Sequence, residues 1–253
     1  MKLKSIILLI ALASGFAAAT DAPHAAHWTY SGEEGPAHWG AISKDFHTCE
    51  AGRAESPINI FKAKKAPDSF SRIQFHYAAM PLDLLNTGHA MQFVAEPGKD
   101  SVTLGDTSYQ LVQFHFHSPG EERFAGKASP LDVHLVHADA NGKMLVVAVQ
   151  FKVGKQANPA LQTLLAHMPA KVNEHTHIDD ILVDPSGLLP EQRGYYTYSG
   201  SLTTPPCSEG VTWIELKQPV SISKAQLQAM RKFYYHNQRP VQPLNGREII
   251  EVD

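Results

Sequence analysis

Cysteine is nearly absent from this chain of 253 residues, with two copies, Cys49 and Cys207. Two thiols cannot complete a cysteine-rich zinc module or a disulfide-dense small scaffold. An excess of one charge is missing too. The 22 Lys and Arg face 25 Asp and Glu, for a net charge of −3, so there is no polybasic footprint for nucleic acid. No run reaches 18 consecutive apolar residues, the length a membrane-crossing helix needs. Internal repeats and long linkers are also lacking. At 43% hydrophobic and 19% charged, the composition excludes a disordered chain and suffices for one sizeable core.

What is present begins with the N-terminus. Lys2 and Lys4 precede the apolar run Ser5–Ala13, and Ala17-Ala18-Ala19 supplies small residues for cleavage. That order is the pattern of a secretory signal over residues 1–19. The run is too short to span a bilayer, and no cysteine at the cleavage region offers a lipid anchor. The expected mature chain, 20–253, is exported to the periplasm or secreted, with no membrane attachment once the signal is removed. In such a compartment Cys49 and Cys207 either form one bridge or stay as buried thiols, and the oxidising surroundings favour the bridge.

Strand signals dominate the rest. Ser71–Tyr77, Ala90–Ala95, Tyr109–His117, Leu131–Ala138, Met144–Val153 and Val211–Lys217 are rich in β-branched and aromatic residues. Asn141-Gly142 marks a hairpin between two of them. Helices are few. Asn158-Pro159 opens a short one over Ala160–His167, and Ser223-Lys224-Ala225-Gln226 is a capping box ahead of Leu227, Met230 and Tyr234. The expected fold is mainly β, a single domain with a mostly antiparallel sheet and short peripheral helices.

Histidine is the over-supplied residue, at 14 copies. The central motif is Gln113-Phe114-His115-Phe116-His117. In a strand, Gln113, His115 and His117 share one face and the two phenylalanines the other, whereas a helix would throw His115 and His117 about 200° apart. Asp132-Val133-His134-Leu135-Val136 offers a third imidazole from another strand. Three neutral histidines without a thiolate suit Zn²⁺ with an open fourth position. The bland alternative is a set of polar residues on a solvated strand face; a second strand and a flanking carboxamide and carboxylate weigh against it. Glu174-His175-Thr176-His177 carries the same spacing but reads as a polar, turn-like, solvated loop. His137 points away from His134.

These residues resemble the alpha-class carbonic anhydrases, specifically their exported bacterial members. The resemblance is carried by Gly35-Pro36-Ala37-His38-Trp39-Gly40, Ser56-Pro57-Ile58-Asn59-Ile60, Asn86-Thr87-Gly88-His89-Ala90, Gln113–His117 and His134-Leu135-Val136-His137. Tyr198–Pro206, Val211-Thr212-Trp213 and Arg239–Leu244 continue it in order, from about Trp28 to about Val252. It implies one domain around a large twisted sheet, with zinc on His115, His117 and His134 at the floor of a conical cavity. The implied reaction is reversible hydration of carbon dioxide to bicarbonate and a proton, by attack of zinc-bound hydroxide.

The resemblance also implies roles around the metal. Thr203 would orient the hydroxide and pass its own proton to Glu121, with Glu122 next door as the competing candidate. Val136, Val146, Leu202 and Trp213 would form the apolar carbon dioxide pocket, and Thr204 its polar side. His89 would shuttle the proton, along a polar wall of Tyr30, Asn86, Thr87 and Gln92. Gln113 and Asp132 would stand behind the ligands. The family usually has Glu where Asp132 stands, bonding another zinc-bound histidine, so the shorter side chain is expected to weaken zinc retention slightly. Exported relatives pair the positions of Cys49 and Cys207, which would pin the Leu202–Thr204 loop to the N-terminal segment. Monomer and homodimer both remain open. Three other readings stand beside it: three ligands together with Thr203 and His89 speak against a non-catalytic binding module, the apolar pocket and the absence of a recognisable larger-substrate groove against a zinc esterase, and a three-histidine site with its own shuttle against a zinc buffer.

Overall fold

The computed structural model describes residues 26–253, so the signal sequence expected over residues 1–19 lies outside the described residues. Eight strands organise the site: β1 (Met80–Asn86), β2 (Met91–Val94), β3 (Thr107–His117), β4 (Leu131–Ala138), β5 (Met144–Gly154), β6 (His175–Val183), β7 (Tyr195–Ser201) and β8 (Glu209–Ser223). They run side by side as β6-β1-β2-β3-β4-β5-β8-β7, followed by Ile250–Val252 and Lys64–Lys65. Ile73–His76 and Ser101–Leu104 extend from β3, making a 12-stranded sheet among the described residues. Its pairings are antiparallel except β5 with β8 and Ile250–Val252 with Lys64–Lys65.

The sheet buries both faces at its centre. Phe114, Phe116, Val133, Leu135 and Val147 project to one side, under Leu161 and Leu164 of the helix Pro159–Ala166 and Leu227 and Met230 of the helix Lys224–Phe233. Each fully buried side chain of this size contributes about 1.5–3 kcal/mol. Both helices start as expected, with Asn158 Oδ1 accepting the Leu161 N–H at 2.9 Å and a complete Ser223–Gln226 capping box. Val136, Val146, Ala148, Tyr198 and Trp213 pack on the other side with Ile58 and Ile60.

One expectation is corrected. Glu174–His177 is not a turn: from His175 it forms the start of β6, an edge strand paired with β1. His177 lies opposite Asp83, and both His175 and His177 bond that one carboxylate, His177 Nδ1 at 2.9 Å. Both rings remain exposed, which is why the segment looks polar in sequence; Ile178 and Ile181 further along supply its contact with the core.

His137, on the face away from His134, is fully buried. Its Nδ1 faces the Leu145 carbonyl at 3.3 Å and its Nε2 the Tyr77 hydroxyl at 2.7 Å, an arrangement that suits the neutral ring. Burial brings its pKa down to about 4. The unfolded chain therefore binds this proton more tightly than the folded one. Stability from His137 is complete above about pH 6.5 and is lost as pH falls toward 4, at roughly 1.4 kcal/mol for each tenfold difference in proton affinity between the two states. Denaturant midpoints of metal-free wild type and His137→Gln, measured from pH 7.5 to 4, should converge toward acid. Parallel curves would show that the ring carries no such linkage.

Candidate metal centre

Register places the site. In the pairing of β3 with β4, His134 stands opposite His115 and Asp132 opposite His117. The three imidazoles therefore meet on one face, with ring centroids 4.9 Å apart for His115–His117, 5.6 Å for His115–His134 and 4.5 Å for His117–His134. One nitrogen from each lies within 4.8 Å of the others.

The outward nitrogens are already engaged. His115 Nδ1 lies 2.8 Å from Gln113 Oε1, His117 Nδ1 3.1 Å from Asp132 Oδ1, and His134 Nε2 3.2 Å from Glu122 Oε2. That leaves His115 Nε2, His117 Nε2 and His134 Nδ1 for one another, and His117 Nε2 is buried without a hydrogen-bond partner. An orphaned inward nitrogen beside two others fits a metal ion bound by three imidazoles. The charges fit as well: Glu121, Glu122 and Asp132 are buried around the three rings. Burial and the charges of its neighbouring histidines hold His115 well below 6.5, the neutral form a ligand needs. Burial opposes charge on Asp132 too, yet His134 and His117 hold its carboxyl well below the usual range.

Close approach behind the ligands depends on Gly120. A Cβ there would meet Ser129 Oγ at 2.3 Å and Asp132 Oδ2 at 3.0 Å. The tight turn lets the next residue's N–H reach Asp132 Oδ2 at 2.7 Å and sends the Glu121 carboxylate inward. Its Oε1 accepts the Arg239 N–H at 2.7 Å, while Oε2 is buried and unpartnered. Burial raises the Glu121 pKa.

The other expected residues fall on two sides. Val136, Val146 and Trp213 are paired in succession across β4, β5 and β8, one step along the sheet from His134, and Leu202 packs on the same cluster. The Trp213 ring stands edge-on to His134, centroids 4.9 Å apart. Across from this row is a cavity of about 200 Å³ lined by Trp28, Tyr30, Thr87, His89, Gln92, Gln113, His115, His117 and Thr204. Asn86 is not among them; it is buried under the turn, with its amide donating to the Pro169 carbonyl. Thr203 is buried in the β7–β8 loop, and no hydrogen bond joins it to Glu121 in this structure. His89, half-buried, stacks on Trp28 at 3.7 Å; burial, then the charge of His27, lowers its pKa below 6.5. Cys49 and Cys207 form the disulfide.

Four structural partners carry no role that the sequence alone suggests. Glu122 touches His134, and Trp28 stacks on the His89 ring. Asn237 donates to the Phe116 and His89 carbonyls, tying the ligand strand to the turn that holds His89. Arg239 bonds Glu55, the Ser56 carbonyl and the Cys49 carbonyl. The adjacent acids at 121 and 122 are the one legible signal, since only one is needed for Thr203.

A large mixed sheet on which three imidazoles converge, two of them lining a cavity and the third beside an apolar row, defines an enzyme class built on a three-histidine centre. A profile of the eukaryotic-type carbonic anhydrase family matches residues 34–253, and the chain belongs to that family. A carbonic anhydrase from Klebsiella pneumoniae is 44% identical over 232 residues, covering 90% of this chain and 92% of its own. One from Pectobacterium carotovorum is 41% identical over 251 residues, covering 99% of this chain and 100% of its own. The solved alpha-carbonic anhydrase of Thermovibrio ammonificans, in complex with the inhibitor sulfanilamide, superposes with a TM-score of 0.84 at 43% identity, covering 90% of this chain and 100% of that one.

Proposed function

We propose that the chain is a zinc-dependent carbonic anhydrase catalysing reversible hydration of carbon dioxide. The observation that carries this reading is the inward trio of His115 Nε2, His117 Nε2 and His134 Nδ1, each ring held from behind by a carboxamide or carboxylate. When bound there, zinc supplies the Lewis acidity that brings the pKa of a water molecule to about 7, an effect for which carbonic anhydrase is itself the type case.

The chain's own residues do the rest. Glu121 Oε2, buried without a partner in this structure, would accept a hydrogen bond from the Thr203 hydroxyl in the working site and so turn the Thr203 lone pairs toward the cavity. A water molecule that has released one proton toward His89 would donate its remaining O–H as a hydrogen bond to Thr203 Oγ1, which directs a lone pair at the carbon of carbon dioxide. Carbon dioxide has neither charge nor dipole, so Val136, Val146, Leu202 and Trp213 take it at no desolvation penalty. Thr204 lines the polar side, where Thr87, Gln92 and Tyr30 support a water chain. His89, unprotonated at neutral pH by virtue of its lowered pKa, receives the released proton and passes it outward. The Met1–Ala19 pattern and the Cys49–Cys207 bridge support export to the periplasm or medium. No helix among the described residues is long and apolar enough to cross a membrane.

Stopped-flow carbon dioxide hydration should be fast for zinc-loaded protein and lost both after chelation and in His115→Ala. A folded, zinc-loaded sample that hydrates nothing would reject the enzyme and leave a binding module on the same scaffold.

A further inference from the structure

We propose that Glu122 is the carboxylate that positions His134 for the metal, while Asp132 positions His117 instead. The inference rests on the zinc reading above and concerns which acid holds which imidazole. Asp132 and His134 lie two residues apart on one face of β4, so an acid at 132 would serve His134 if its side chain ran along the strand. It runs across. Asp132 Oδ1 lies 3.1 Å from His117 Nδ1, directly opposite in the register, and Oδ2 accepts the Glu121 N–H at 2.7 Å. From Oδ2 to His134 Nε2 the distance is 3.5 Å, from an oxygen already engaged. Glu122 Oε2 stands at 3.2 Å from the same nitrogen.

The surroundings of Glu122 point the same way. It is fully buried, and its Oε1 has no partner. Among the described residues, the one side chain its carboxylate hydrogen-bonds is His134. A buried carboxylate without a cation is unfavourable, so its compensation must come through that ring. By accepting the Nε2 proton, Glu122 fixes the tautomer and leaves Nδ1 as the lone-pair nitrogen facing His115 and His117. A carboxylate in this place also raises the basicity of the imidazole toward a metal. Glu122 is thus a positioning residue, acting through His134, and the short side chain at 132 leaves His134 fully supported.

Zinc release into excess chelator tests this without any activity measurement. Glu122→Ala should release zinc roughly 10–100-fold faster than wild type, and Glu122→Gln, which keeps shape but not charge, by a smaller factor. Asp132→Glu alone should bring no slower release. Added to Glu122→Ala, it should recover part of the loss, because one more methylene spans the remaining distance to His134; a merely structural role for Glu122 would not be rescued from position 132. Unfolding of the metal-free variants is followed alongside, and if Glu122→Ala does not fold, Glu122→Gln carries the comparison. Wild-type release rates in the folded Glu122 variants overturn the proposal and leave the zinc reading intact. A wild-type protein that takes up no zinc overturns both.

Discussion

Arg239→Met is expected to destabilise the folded protein by about 3–5 kcal/mol, the range for removing one partner of a buried ion pair. The side chain is 1% exposed and ties its own segment to the distant stretch from Cys49 to Ser56. Nη1 donates to Glu55 Oε2 at 2.6 Å and to the Ser56 carbonyl at 2.8 Å, and Nη2 donates to the Cys49 carbonyl at 3.0 Å. Glu55 Oε1 has no partner, and among the described residues Arg239 is the cation bonded directly to the Glu55 carboxylate. Burial already raises the Glu55 pKa against the pull of Arg239. Without Arg239 the carboxylate must take up a proton or draw water into the packing. Glu55→Gln in the Arg239→Met background should recover part of the loss, since no charge is then stranded. Denaturant unfolding of the disulfide-intact proteins gives the comparison. A single-variant loss below about 1 kcal/mol would mean that water already reaches Glu55 and that the pair is not a structural tie.

The ligand trio is legible in the sequence because its chemistry and its period coincide. Two histidines separated by one phenylalanine declare a strand, a face and a chelate at once, and β3 ends at the residue where that pattern ends. The fold class is legible for the same reason. What stays hidden depends on register and side-chain reach, which alternation alone does not set. Asp132 sits on the ligand face in any strand reading, but whether it turns along β4 or across to His117 follows from the pairing. Met80–Asn86 and Tyr195–Ser201 give weak strand signals: Pro81 interrupts the first, and serines and a glycine dilute the second. His175 and His177 mislead in the opposite direction, since an edge strand facing solvent has the composition of a loop. Residues acting by backbone donation, such as Arg239 toward Glu121, leave no trace in side-chain type.

Reducing the Cys49–Cys207 bridge should cost both stability and catalysis, and the two losses have different routes. The bridge joins residues 158 apart, and in the chain-entropy account a loop of that length is worth roughly 5 kcal/mol, with losses for native bridges typically about 2–5 kcal/mol. The catalytic route runs through two contacts. On one side, Cys207 closes the loop of Leu202, Thr203 and Thr204, where its N–H donates to the Thr204 carbonyl at 2.8 Å. On the other, Cys49 and Cys207 pack with Trp39, and Trp28 and Tyr30 rest on that cluster. Trp28 in turn is the surface on which His89 stacks. Loosening the bridge therefore frees both the residues proposed to orient the nucleophile and the platform of the proposed shuttle. The first should lower kcat/KM for hydration and the second kcat, so Cys207→Ser and reduced wild type should lose in both at a temperature where each is still folded. A fall in kcat/KM alone would place the damage in the loop and release His89 from any dependence on the bridge. Unchanged values of both, with two free thiols confirmed per chain, would show that the loop and the Trp28 platform hold their places through packing and the Arg239 bond to the Cys49 carbonyl, and that the disulfide serves the unfolded-state balance only.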